Sequence, residues 1–346
     1  MSSELSSYSR LLVTGATGML GLHYLMHGIE KGLIVRGLFR TGQSLEKVKR
    51  LLHLYNKDEY FDRIEWVKGD VKDIYSLENA LKDVDAVIHA AARISFAGHA
   101  RQAMLDTNFV GTMNMVNAAL DAKPKYFLHI SSVAALDGQG QIDESAIWTP
   151  SAPHTYYGIS KHLAEMEVWR GMEEGLPAGI INPSIVIGPP ATTADRWDNG
   201  FGKTLSDLER GRIPFYTEGT TGYVDVDDVV EIGFRMLEQR ITNERFVVSA
   251  GNKSFREILE LLAHELNRKP PQRRIGRSIL VGFAKLANTL ATLTFRPKPY
   301  DIEAVRVLFS RTYYDNSKVR ERFGYTFIPI EKSIQKLAKF YRKYRG

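Results

Sequence analysis

The stretch Leu11-Leu12-Val13-Thr14-Gly15-Ala16-Thr17-Gly18-Met19-Leu20-Gly21 decides how this chain folds. A short apolar strand runs into three glycines, and a helical pattern through Leu22, Leu25 and Met26 follows at once. Gly15 can make the tight turn, Gly18 admits a pyrophosphate close to the backbone, and Gly21 lets helix and strand pack together. A helix that starts there offers free N–H groups and the positive end of its dipole. Thr14, Gly15, Thr17, Gly18, Met19, Leu20 and Gly21 are therefore the candidate phosphate cradle. A lone glycine-rich turn is often just a turn. Here strand, loop and helix occur in the order that a first βα unit requires.

Working outward, apolar runs of strand length recur with helical patterns between them. Leu11 to Thr14, Ile34 to Phe39, Ile64 to Val67, Ala86 to His89, Tyr126 to Ser131, Ala178 to Ile181 and Phe246 to Val248 are the predicted strands. Strands separated by helices and apolar on both faces predict an α/β fold, a doubly wound parallel sheet with helices above and below. After Ile181 the rhythm breaks, since Asn182 to Pro190 is rich in proline and the following residues mix Thr, Asp, Gly and aromatics. We expect residues 1–182 and 223–250 to form a dinucleotide-binding domain, and residues 183–222 and 251–346 a smaller substrate-binding lobe. Helices are predicted over Val226 to Glu238, over Phe255 to Asn267 behind Ser254, and from about Glu331.

The 346 residues are 44% hydrophobic and 25% charged, which excludes disordered and collagen-like chains. Forty-six Lys and Arg against 40 Asp and Glu give a net charge of +6, but both signs are interspersed, so no nucleic-acid partner is expected. No cysteine is present, which removes thiol nucleophiles, thiolate metal sites and disulfides. The opening residues MSSELSSYSR lack an apolar leader, so a cytoplasmic chain is expected. The apolar stretch Ile279 to Phe295 is interrupted by Lys285 and Asn288 and is too short to span a bilayer. It reads first as an ordinary core helix, with a membrane-touching role second.

The second strand ends Leu38-Phe39-Arg40-Thr41-Gly42, without the acid that would accept bonds from an NAD ribose. Arg40 suits a 2′-phosphate, with Ser44 and Lys47 close by, so NADP(H) is favoured over NAD(H). Asp70, in Gly69-Asp70-Val71 after the third strand, is placed to accept from an adenine amino group, or to cap a turn. Ala90, Ala91 and Ala92 close the fourth strand with side chains small enough for a ribose to pass. His89 has no second histidine at ligand spacing, and no metal is expected.

Tyr157-Gly158-Ile159-Ser160-Lys161 opens another helical pattern, and four-residue spacing puts Tyr157 and Lys161 on one face. A neighbouring ammonium and an oxidised nicotinamide both favour phenolate, which lets Tyr157 exchange a proton with a substrate oxygen. Tyr156 is a rival phenol, but its partner at plus four is the uncharged Ser160. The strand from Tyr126 delivers Ser131 and Ser132 to its C-terminal end, where a hydroxyl can orient a carbonyl.

These motifs resemble the extended short-chain dehydrogenase/reductase family, the NAD(P)-dependent epimerase/dehydratase-like proteins with an NAD(P)-binding Rossmann fold. Thr14 to Gly21 matches its glycine motif, Tyr157 to Lys161 its active-site motif, and Ser132 lies 25 residues before Tyr157. Asn182 to Pro189 is similar to the segment that lines the nicotinamide, which implies roles for Pro183, Ser184 and Ile185. Gly222 to Asp228 resembles the element that returns to the sheet. The resemblance implies that Ser132, Tyr157 and Lys161 carry the chemistry, that Asn108 supports the lysine, and that the protein is a homodimer. It leaves open whether Ser131 or Ser132 acts.

Departures narrow the branch. Ser132 is followed by Val133 and Ala134, not by the acid usual in dehydratases, and Thr221 and Gly222 stand where epimerases carry a diphosphate-gripping arginine. The nearest likeness is then to dihydroflavonol reductases and 3β-hydroxysteroid dehydrogenases. That implies NADP(H)-dependent interconversion of a carbonyl and an alcohol on a small hydrophobic molecule. The alternatives are an NAD-dependent nucleotide-sugar epimerase and a non-catalytic NADP(H)-binding protein.

Overall fold

The computed structural model describes residues 8–138, 140–189 and 200–344. Residues 1–7 and Pro190 lie outside the described residues. Strands β1 (Arg10–Thr14), β2 (Ile34–Phe39), β3 (Ile64–Lys68), β4 (Ala86–His89), β5 (Tyr126–Ile130), β7 (Ala178–Pro183) and β11 (Arg245–Val248) form one sheet in the order β11-β7-β5-β4-β1-β2-β3. Every pairing within it is parallel. These are the seven strands the sequence predicts, to within two residues at each end.

Alternation along the strands builds a core on each face. Leu11, Val13, Ala86, Ile88, Tyr126 and Leu128 face one side, where Leu25 and Ile29 of α1 (Met19–Glu30) and Val229 and Phe234 of α8 (Val226–Glu238) pack on them. Leu12, Val87, Phe127 and Ile180 face the other, against α3 (Ile74–Ala80), α5 (Gly111–Ala122) and α6 (Tyr156–Glu173). A parallel sheet buried on both faces needs this near-continuous apolar sequence. Between these lie α2 (Gly42–Leu54) and α4 (Arg101–Met104), the latter continuing as a π-helical turn over Leu105–Val110.

The lobe has its own core. A small sheet of β8 (Ile185–Ile187), β10 (Thr220–Asp225) and β12 (Gly251–Ser254) carries α7 (Gly200–Glu209), α9 (Phe255–Glu265) and α13 (Ile330–Tyr344). Ile187, Leu205, Leu208, Tyr223, Leu262 and Ile334 fill the space between them. Ser254 starts α9 through a capping box with Glu257. Two further strand pairs, β9 (Phe215–Tyr216) with β13 (Arg273–Arg274) and β6 (Gly140–Ile142) with β14 (Thr312–Tyr314), tie the lobe to neighbouring loops. After α11 (Ile302–Val307), α12 (Ser317–Phe323) goes back to the large sheet, and Val319, Phe323 and Phe327 join its core.

One expectation is overturned. The stretch from Ile279 is α10 (Arg277–Leu293), yet only Ala284 of it is buried and Ile279, Phe283, Leu286, Leu290 and Leu293 face outward. Helical periodicity reports that a helix has an apolar face and says nothing about whether the protein supplies a surface to cover it. Among the described residues, no helix is long and apolar enough to cross a membrane.

Candidate active site

Six strand ends meet along one edge. The C-terminal ends of β1, β2, β3, β4, β5 and β7 deliver Thr14, Arg40, Asp70, Ala90, Ser132 and Ser184, all to the edge where doubly wound sheets bind ligands. β1 is flanked by β4 and β2, so the chain's course reverses at the glycine loop. Gly15 sits at φ +66°, and a Cβ there would lie 2.6 Å from the Ala90 carbonyl oxygen. A Cβ on Gly21 would lie 2.1 Å from the Gly15 carbonyl oxygen, so this glycine lets α1 rest on the loop. Gly18 is exposed and begins α1 with no side-chain cap, which leaves first-turn N–H groups free for a ligand. An exposed glycine at an uncapped helix start fits a pyrophosphate.

At the adenosine end, Arg40 is exposed and its guanidinium stands 4.0 Å from the Asp70 carboxylate. The two residues singled out for ribose phosphate and adenine are thus neighbours. Asp70 also accepts from the Lys72 N–H at 3.0 Å, a turn contact. Lys47 is half-buried on α2. Val71 is buried under the sheet's edge, packed so closely that a Cβ on Gly111 would lie 2.6 Å from it.

His89 is a structural residue. Its Nδ1 is 2.7 Å from Thr14 Oγ1 and its Nε2 is 2.9 Å from Thr112 Oγ1. Thr112 donates to the Asn108 carbonyl at 2.6 Å, so it accepts from His89, which fixes the proton on Nε2 and makes Nδ1 the acceptor for Thr14. Burial, with Lys161 adding to it, pushes His89 down to about 3, so the ring is neutral at any ordinary pH. Thr14 in turn accepts from the Ala91 N–H at 3.2 Å, locking the glycine loop to the end of β4.

Thr155 caps α6 by accepting from the Gly158 N–H at 2.9 Å, and the Tyr156 N–H donates to Asp301 at 2.9 Å. This fixed helix start sets the Tyr157 phenol beside the Ser132 hydroxyl. Burial pushes Tyr157 up to about 12, and the neighbouring Ser132 hydroxyl pulls it back only in part. Four-residue spacing assigns Lys161 the task of lowering that phenol. In the structure Lys161 instead donates to the Ile130 carbonyl at 2.8 Å, and burial, opposed by Glu165, draws it down to about 8.

The geometry separates the two serines. Ser131 is buried and its hydroxyl bonds Glu165, whereas Ser132 is half-buried beside the tyrosine. Glu165 belongs to none of the motifs that mark the site in the sequence. It is fully buried one turn beyond Lys161, where it receives Ser131, Asn182 Nδ2 at 2.5 Å and Arg245 Nη1 at 3.4 Å. Burial raises its pKa against the pull of Ser131 and Arg245. Asn182 also donates to the Ser132 carbonyl at 3.0 Å, tying this network to the site. An acid four places after Lys161 is the signal that could find it; Asp301 gives none, because its partner is 145 residues away.

Asn108 lies in the π-helical turn and is buried. It does not reach the Lys161 ammonium. Its Nδ2 donates to Ser160 Oγ at 2.8 Å and to the Arg93 carbonyl at 3.0 Å, and its Oδ1 accepts the Arg93 N–H at 2.7 Å. Ser160 donates to the Tyr157 carbonyl at 2.8 Å, so Asn108 braces the first turn of α6 from beneath. Pro183 and Ser184 are buried and Ile185 is exposed at the sheet edge. Among the described residues no cluster of His, Asp or Glu could hold a metal ion.

Comparison with known proteins identifies the family. Residues 11–249 match the NAD dependent epimerase/dehydratase family. The chain is 28% identical over 320 residues to sterol demethylase protein B of Methylococcus capsulatus, covering 90% of this chain and 92% of that one. It is 26% identical to dihydroflavonol 4-reductase of Arabidopsis thaliana over 74% of this chain and 69% of the relative. Among solved structures, gox2253 superposes with a TM-score of 0.79 at 26% identity, covering 97% of this chain and 98% of the other. The protein belongs to the NAD dependent epimerase/dehydratase family, within the extended short-chain dehydrogenase/reductases, and is an NAD(P)-dependent oxidoreductase.

Proposed function

We propose that the protein is an NADP(H)-dependent carbonyl reductase, reversible as an alcohol dehydrogenase, for a small hydrophobic substrate. The placement of Tyr157 beside Ser132 carries this reading, because it sets two hydroxyls at the ligand edge one helical turn from an ammonium. NADP(H), when bound, supplies or accepts the hydride. Ser132 and Tyr157 hold the substrate oxygen between two O–H groups and polarise its carbonyl. Tyr157 gives that oxygen its proton, and Lys161 steadies the tyrosinate left behind.

Arg40, with no acid at the end of β2, supports NADP(H). Relatives named for a sterol and for a dihydroflavonol support a hydrophobic ring compound as substrate class. A nucleotide sugar finds little support at β10, where Thr221 and Gly222 supply no cation to grip a diphosphate. Tyr157→Phe is expected to lower turnover on a carbonyl panel by about a thousandfold while NADPH binding changes little. Wild-type turnover by that variant would end the assignment of Tyr157, and release of tightly held NAD from denatured protein would favour the epimerase instead.

A further inference from the structure

We propose that α10 is an in-plane anchor that docks this protein on an anionic lipid surface. Ile279, Phe283, Leu286, Leu290 and Leu293 are each between 52% and 70% exposed. Their steps of four, three, four and three residues place them on one face of a 17-residue helix. Phe295, beyond its end, is 99% exposed. A continuous apolar face turned to solvent is a binding surface, since isolated exposed leucines are common but a full stripe is not.

Charge decides what covers it. Residues 268–300 hold eight Lys or Arg and no Asp or Glu, in a chain whose two signs are otherwise mixed. Arg273, Arg274 and Arg277 lie at the start of α10, and Arg296 and Lys298 lie just past its end, all exposed. Among the described residues only Arg274 has a carboxylate partner, Glu218 at 3.2 Å. A second copy laid against this face would set like charges together, whereas anionic headgroups neutralise them and acyl chains accept the stripe. The helix is about 25 Å long at 1.5 Å per residue, so it lies on a bilayer and does not span one.

Hydrogen bonds link α10 to the start of α6. Asn288 holds the Tyr300 carbonyl at 3.0 Å, and the next residue, Asp301, receives the Tyr156 N–H and donates its own N–H to the Phe96 carbonyl at 2.8 Å. Phe96 and Ile94, beside the end of β4, are also exposed, 67% and 62%. A docked α10 is thus linked, through Asn288 and Asp301, to the start of the helix that carries Tyr157.

The full-length protein should co-sediment with vesicles of phosphatidylcholine containing about 30% phosphatidylglycerol and bind pure phosphatidylcholine vesicles far less. Raising salt from about 0.1 to 0.5 M should weaken the anionic binding severalfold. The variant Phe283→Ser/Leu286→Ser/Leu290→Ser should lose at least about tenfold of it, with NADPH binding retained as proof of folding. No sedimentation by the wild type, equal sedimentation by the triple variant, or a light-scattering dimer that the triple variant splits without any vesicle binding would each overturn the proposal. The readout involves no turnover, so its failure leaves the carbonyl-reductase reading untouched.

Discussion

Two helices of this protein treat polarity in opposite ways. α6 buries an ammonium and a carboxylate, Lys161 and Glu165, while α10 leaves Phe283 and Leu286 in the solvent. On α6 the cost of burying charge is offset by bonds from Ile130, Ser131, Asn182 and Arg245. On α10 the chain offers no such compensation. On α6 the chain itself completes the environment of the buried charges beside the proposed site, whereas the α10 face is left for the proposed lipid surface to cover.

This contrast can be broken by stability measurements. Glu165→Ala removes the acceptor that Ser131, Asn182 and Arg245 share inside the fold and should cost about 3 kcal/mol, read as a lowered urea midpoint. Glu165→Gln, which keeps one acceptor oxygen, should recover part of that loss. A cost under about 1 kcal/mol would mean that the buried network does not hold the site. At the adenosine end, Arg40→Ala should raise the KM for NADPH by about tenfold to a hundredfold and leave that for NADH nearly unchanged. Equal effects on both would remove the argument for NADP(H). Leu286→Ser should shift stability by no more than about 0.5 kcal/mol in the absence of lipid, since its side chain has little to lose. A loss of about 2 kcal/mol there would show that the stripe is covered after all.

The glycine loop, the seven strands and the Tyr157 and Lys161 spacing are all legible in the amino-acid sequence, because they are local patterns and the fold preserves their order. Harder to read are facts that depend on which surfaces meet. Ser131 and Ser132 are chemically alike, and only the twist at the end of β5 sends one to Glu165 and the other to Tyr157. α7 is hidden in the sequence because it follows a segment dominated by prolines, threonines and aspartates. The face of α10 is apolar as its pattern says, yet it lies outside the core, because periodicity carries no information about the partner. The state of Tyr157 also differs from the one its spacing suggests, since desolvation outweighs an ammonium that points to a backbone carbonyl.

That last point makes the phenol the sharpest probe. Below about pH 8 Lys161 carries its charge and above it the charge is lost, so the ammonium's help to Tyr157 and to a bound ribose fades as pH rises through that value. A tyrosinate difference titration in the ultraviolet, wild type minus Tyr157→Phe, follows one phenol among 16. Without cofactor that phenol should ionise near the value of about 12 set by burial. With saturating NADP⁺ it should ionise at least about two pH units lower, and Lys161→Met should abolish much of the shift. A difference spectrum that titrates identically with and without NADP⁺ would contradict the pairing of Tyr157 and Lys161 as the proton-handling unit of this protein.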